Sequence, residues 1–217
     1  MSDIFREIDE ELRRDNWLKL WSKYGRYIVA LAVAALLVAG SVVAWRDHQL
    51  SERRAQSTRF AGALELATSG KPADAEKVLG LIAGEGGGGG GYAVLASFEQ
   101  AGLLAKSGDH KAAAAAYERI AARSGIGSAF HDLAVLLSVM QSMPSAEPQA
   151  TIARLAPLTA AGSPWRPTAL ELTAVARLQA GDKKGAVELY KSLADDLEAS
   201  PSSRAHAAEM ATALAPS

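Results

Sequence analysis

The chain contains no cysteine among its 217 residues, which rules out disulfides and thiolate metal sites. It has no excess of charge of either sign: 23 Lys+Arg stand against 24 Asp+Glu, scattered along the chain, for a net charge of −1. A nucleic-acid-binding protein needs a basic stripe to displace phosphate counterions, so no nucleic-acid partner is expected. Aromatic residues make up only 6%, and nowhere do β-branched residues alternate as a half-buried strand requires. The histidines His48, His110, His131 and His206 stand alone, without the His-x₃-His or His-Glu-x₂-His spacing of a metal site. A Gly-x-Ser-x-Gly elbow is missing as well. The expectation is a protein that is not an enzyme, with no catalytic residues, no metal, no cofactor and no small-molecule substrate.

The strongest feature that is present lies near the start. "YIVALAVAALLVAGSVVAW", from Tyr27 to Trp45, carries no charge and is bracketed by Arg26 and Arg46. As a helix its length is about 28 Å, close to the hydrocarbon thickness of a bilayer. Trp17, Trp21, Tyr24 and Tyr27 precede or open the run and Trp45 closes it, which suits rings that prefer the headgroup level. A cleaved signal peptide is the closest rival, with Val42-Val43-Ala44 as a cleavage site. The 26-residue segment ahead of the run holds six acidic residues, and the run exceeds a signal core, so the expectation is an uncleaved span in a lipid bilayer. Within about fifteen residues of its ends, five basic residues lie on the N-side and four on the C-side. That margin alone leans only slightly toward a cytoplasmic N-terminus.

Three domains follow: an amphipathic juxtamembrane segment over 1–26, the span over 27–45, and a helical domain over 46–217. In the first, Ile4, Phe5, Ile8 and Leu12 recur at helical spacing, as in either a partner-docking helix or a solvated juxtamembrane one. After the span there is no proline or glycine until Gly62, so the membrane helix is predicted to run on to about Thr68, where Gly70 and Pro72 stop it. Gly86 to Gly91 form a run of six glycines. Each costs about 1 kcal/mol in a helix relative to alanine, and no Lys-Ser/Thr follows to hold phosphate; a flexible loop is expected. Helices are predicted over Tyr92–Lys106, Lys111–Arg123, Ser128–Gln141, Gln149–Leu158, Pro167–Ala180, Lys183–Leu197 and Ser202–Leu214. Pro157 should kink or end its helix.

One local design recurs along this domain. "GDHKAAAAAYERI" from Gly108 and "GDKKGAVELYKSL" from Gly181 share Gly-Asp, an alanine five residues after the glycine, and a tyrosine nine after it. "GKPADAEKVLGLI" from Gly70 keeps Ala75 and puts Leu79 at the ninth step. The spacings of 38 and 73 residues approximate one and two units of about 34, which places a worn hairpin in 128–162. In these residues the chain resembles the tetratricopeptide repeat (TPR) family: Ala101, Gly108, Asp109, Ala113 and Tyr117 in one unit, Ala174, Gly181, Asp182, Ala186 and Tyr190 in another. Small residues let two helices approach closely while the tyrosine wedges against the next hairpin, so the run of alanines is structural. The family's first-helix tryptophan and its later proline are missing, so the repeats are divergent. The expected fold is all-α, a single N-terminal transmembrane helix followed by a TPR-like α-solenoid of helical hairpins.

The layout as a whole is similar to YfgM-type ancillary subunits of the SecYEG translocon, carried by the start "MSDIFREIDEELRRDNWLKLWSKYG", one span and the repeats. The stretch "GSPWRPTALEL", Gly162 to Leu172, reads like one common to their α-proteobacterial members. That resemblance implies a single-pass protein of the bacterial inner membrane, with a cytoplasmic N-terminus and a periplasmic repeat domain. Its partners would be the SecYEG translocon and a periplasmic chaperone or emerging chain. A membrane-anchored TPR adaptor for envelope assembly or division, without Sec contact, is the alternative. Trp165-Arg166 is the one pair singled out as a partner anchor, against the plainer reading of a staple between repeats.

Overall fold

The computed structural model describes residues 3–84 and 91–215, and among them every regular element is a helix. In chain order these are α1 (Asp3–Thr68), α2 (Pro72–Gly84), α3 (Gly91–Lys106), α4 (His110–Ala121), α5 (Ser128–Ser142) and α6 (Pro148–Leu155). A 3₁₀ turn (Ala156–Thr159), α7 (Arg166–Gln179), α8 (Lys183–Ala194) and α9 (Pro201–Ala213) complete the series. The chain divides into two compact units, Met1–Ala55 and Gln56–Ser217.

In the first unit the apolar run lies within α1, which continues to Thr68 as the absence of helix breakers predicts. Its richest window has a mean hydropathy of 2.0 and none of it is buried by the rest of the chain. Leu31, Leu36, Leu37, Val38 and Val43 are among its exposed side chains. A helix that is apolar all round finds its stable place in an apolar medium. Among the described residues α1 is the one helix long and apolar enough to cross a membrane. The amphipathic pattern expected of Ile4, Phe5, Ile8 and Leu12 concerns side chains outside the described residues, as does the glycine loop over 86–90; Gly91, the last of that run, opens α3.

The second unit is a stack of hairpins with four small cores, each shared by three successive helices. Ala63 of α1, Leu79 and Ile82 of α2 and Ala96 of α3 make the first. Val94 and Ala101 of α3, Ala113 and Tyr117 of α4 and Ala134 of α5 belong to the second. Leu136 and Val139 of α5, Leu155 of α6 and Ala169 of α7 form the third. Ala174 of α7, Ala186 and Tyr190 of α8 and Ala207 and Ala211 of α9 form the fourth. Each core touches only its neighbours in sequence, which is the quasi-one-dimensional packing of a repeat protein.

Two local features shape the worn hairpin. α6 ends at Leu155 and tightens into a 3₁₀ turn containing Pro157, because proline supplies no N–H for the next α-helical hydrogen bond. At its start Glu147 takes the capping place, its carboxylate accepting from the Ala150 N–H at 2.9 Å, with Pro148 at the first turn. α8 is shorter than its sequence pattern suggests and stops at Ala194, since the Asp196 carboxylate accepts from the Glu198 N–H at 3.0 Å and folds the chain into a turn.

Candidate protein-interaction surface

The repeated Gly-Asp dipeptide builds the hinge of two hairpins, α3–α4 and α7–α8. Gly108 and Gly181 have φ of +85° and +80°, a left-handed conformation that glycine adopts without a Cβ clash. There the Asp109 N–H reaches back to the Leu104 carbonyl at 3.1 Å, and the Asp182 N–H to that of Arg177 at 2.8 Å. These are the long-range bonds of a Schellman helix end. The same aspartates then start the next helix: their carboxylates accept from the N–H of Ala112 and of Gly185, each at 2.9 Å. One dipeptide thus ends one helix and caps another. Gly70 repeats the turn, with φ of +80° and the Lys71 N–H bonded to Leu66 at 3.0 Å.

Behind these hinges the other repeat positions come together. Ala101, Ala113, Ala174 and Ala186 are fully buried where helices cross. Tyr117 packs with Phe98 of α3, at 6.1 Å between ring centroids, and shares its core with Ala134 of the following hairpin. Tyr190 packs in the matching place between α7 and α9. Burial pushes both phenols above their ordinary range, with the carboxylates of Glu99 and Glu171 adding to the rise. Asp182 shifts the other way, held low first by the Gly185 N–H and then by the Arg177 guanidinium.

Trp165 and Arg166 are turned to contacts inside the domain. The indole Nε1–H of Trp165 donates to the Ala129 carbonyl at 3.3 Å, and its ring packs on the third core. The Arg166 guanidinium pairs with the Asp196 carboxylate, tying the start of α7 to the turn after α8. A second polar tie joins three helices: Arg154 of α6 meets Glu118 of α4 at 3.2 Å and Ser138 of α5 at 3.1 Å. Sequence reading missed both ties, since their partners lie 16 to 36 residues apart and nothing local marks them. Tyr27 and Trp45, the ends of the apolar run, are both exposed.

Phe130 and Met140 on α5, with Leu81 and Leu95 on α2 and α3, are exposed apolar side chains of the repeat unit. Each histidine has one nearby polar partner, such as His110 with Gln141 at 2.8 Å and His206 with Glu171 at 3.4 Å. Among the described residues no three His, Cys, Asp or Glu side chains converge as a metal cage would require. Open grooves run along α8 and α9.

Stacked hairpins with hinge, wedge and close-approach residues in register define a helical-repeat scaffold. The chain belongs to the tetratricopeptide repeat-like domain family, whose profile matches residues 18–200. It is therefore a TPR-like protein–protein interaction scaffold, and its partners are proteins. Among solved structures, a chain described as "MamA RS-1 ArsTM double mutant" is similar, with a TM-score of 0.53 and 14% identity over 73% of this chain and 93% of that one. At that identity the likeness bears on the fold alone. No curated protein matches the sequence.

Proposed function

We propose that this chain is a membrane-tethered scaffold associated with the Sec translocon. Residues 1–26 would lie in the cytoplasm, 27–45 would cross the bacterial inner membrane, and 46–217 would stand in the periplasm, holding a chaperone or an emerging secreted chain. The observation that carries the reading is α1. The uncovered apolar run and the alanine that opens the first repeat core, Ala63, belong to one helix. The family match beginning at Leu18, ahead of the run, supports treating anchor and repeats as one design. The translocon contact itself rests on the similarity to YfgM-type subunits.

Crosslinking full-length protein in native membranes and purifying it tests the reading. Translocon subunits should be recovered, and recovered again when residues 1–45 are fused to an inert periplasmic domain. Protease added to spheroplasts should digest the repeat domain. Protection of that domain overturns the topology; recovery of envelope-assembly proteins with no translocon subunit replaces the Sec reading with the adaptor alternative.

A further inference from the structure

Two arginines just beyond the apolar run have no carboxylate within reach along α1. Arg46 follows Trp45 at the end of the run, and Arg53 lies two helical turns further on, on the same side of the helix. Side chains on a helix meet those three and four residues away. For these arginines such neighbours are Val42, Val43, Gln49, Leu50, Gln56 and Ser57, and none is acidic. The nearby acidic residues occupy other sides: Asp47 shares a row with Arg54, and Glu52 turns to His48 at 3.3 Å. Among the described residues neither Arg46 nor Arg53 forms an ion pair. Both are exposed, as is Leu50 between them.

Their position says what the two guanidiniums await. Counted from the end of the run, Arg46 enters the headgroup layer, which is about 5–7 Å deep on each face of a bilayer. Arg53 stands about 10 Å further along the helix axis. The Cα–Cβ bonds of a helix tilt toward its N-terminus, which in α1 is toward the apolar run. A long side chain leaning back by about half that distance brings the Arg53 guanidinium into the same layer. Both cations then lie at the level of lipid phosphates. Helix stability gives no reason for them, since they make no pair along the helix. Topology gives none either, because basic residues on the translocated side of a span are disfavoured.

We propose that Arg46 and Arg53 bind the phosphates of anionic phospholipids, one phosphate to each guanidinium through paired N–H donors. A zwitterionic headgroup binds less well, because its ammonium brings like charge to the same arginines. The inference rests on the reading that α1 crosses the bilayer and is independent of any translocon contact.

The lack of cysteine makes a local test possible. Gln49→Cys gives one attachment point for a fluorophore, between Arg46 and Arg53 on the helix. Labelled full-length protein is reconstituted into phosphatidylcholine vesicles with a minor share of nitroxide-labelled phosphatidylglycerol or, in parallel, nitroxide-labelled phosphatidylcholine. Phosphatidylglycerol should quench as though about fivefold enriched beside the fluorophore, and the excess should shrink as salt is added. Arg46→Gln/Arg53→Gln should bring the two lipids to parity. Arg53→Gln alone should remove at least half of the excess, whereas Arg59→Gln, an equal change of charge further from the bilayer, should keep it. Equal quenching by the two lipids in wild type, or equal losses from Arg53→Gln and Arg59→Gln, would overturn the proposal. Flotation with pure phosphatidylcholine vesicles checks α1 separately. Protein that floats without lipid preference overturns this inference alone; protein that fails to float overturns the span with it.

Discussion

Gly185 is a glycine for a reason that lies two helix ends away. A Cβ placed there would collide with the Asp182 carboxylate and with the Arg177 guanidinium, which pair with each other at 2.7 Å over the start of α8. In the preceding Gly-Asp hairpin the corresponding positions hold Leu104 and Ala112, and the cap from Asp109 forms without obstruction. Gly185→Ala should therefore lower the melting temperature even though alanine is the better helix former by about 1 kcal/mol. Adding Arg177→Leu, which copies the other hairpin, should recover the loss, and a thermal double-mutant cycle measures the coupling. Acid offers a second test of the same hinge. Because the folded state lowers the Asp182 carboxyl, its stabilising contribution is complete above the ordinary value of 3.8 and is lost as pH falls through the lowered one. The stability gap between wild type and Asp182→Asn should be widest near about pH 5 and close toward about pH 2. A gap that stays constant over that range would place the hinge's strength outside this carboxylate.

At the scale of the element, the alanine-rich α4 matters for its thinness. Three of its alanines are buried, and Tyr117 supplies the one large buried ring that reaches the next hairpin. Tyr117→Ala should cost about 3 kcal/mol through the cavity it leaves, whereas Tyr117→Phe, which keeps the ring, should cost less than about 1 kcal/mol. Urea unfolding of the two variants separates a wedge from a hydroxyl contact, since similar losses would show that the hydroxyl carries the effect. The helices themselves were legible in the sequence because their apolar spacing and their Gly, Pro and Asp boundaries are local signals; α3, α4, α5, α7 and α9 begin and end within two residues of expectation. α8 was read too long because Leu197 extends the apolar spacing while the turn depends on Asp196 bonding forward to Glu198. The hinge role of Gly-Asp was legible only as a repeated pair, since its meaning appears once the Schellman bond and the cap are seen on the same residue.

At the scale of the whole molecule, the two units solve opposite problems of solvation. One exposes a helix that is apolar all round, and the other folds its apolar side chains into its own cores. Residues 46–217 expressed alone should remain in solution without detergent and give a helical far-UV spectrum, while full-length protein should pellet with membranes. A shorter chain beginning at residue 56, where the second compact unit starts, should behave the same way. Aggregation of both would mean that the repeats expose more apolar surface than the unit buries.

The serial arrangement of the four cores also sets how the domain would answer a pull. No core joins the first hairpin to the last, so tension applied at the C-terminus meets α9 and α8 first and leaves the earlier cores intact until its own turn comes at each. In an optical trap the extension should rise in steps, each releasing a hairpin of about 34 residues, or on the order of 100 Å of chain. A domain built this way yields length gradually under load, one core at a time.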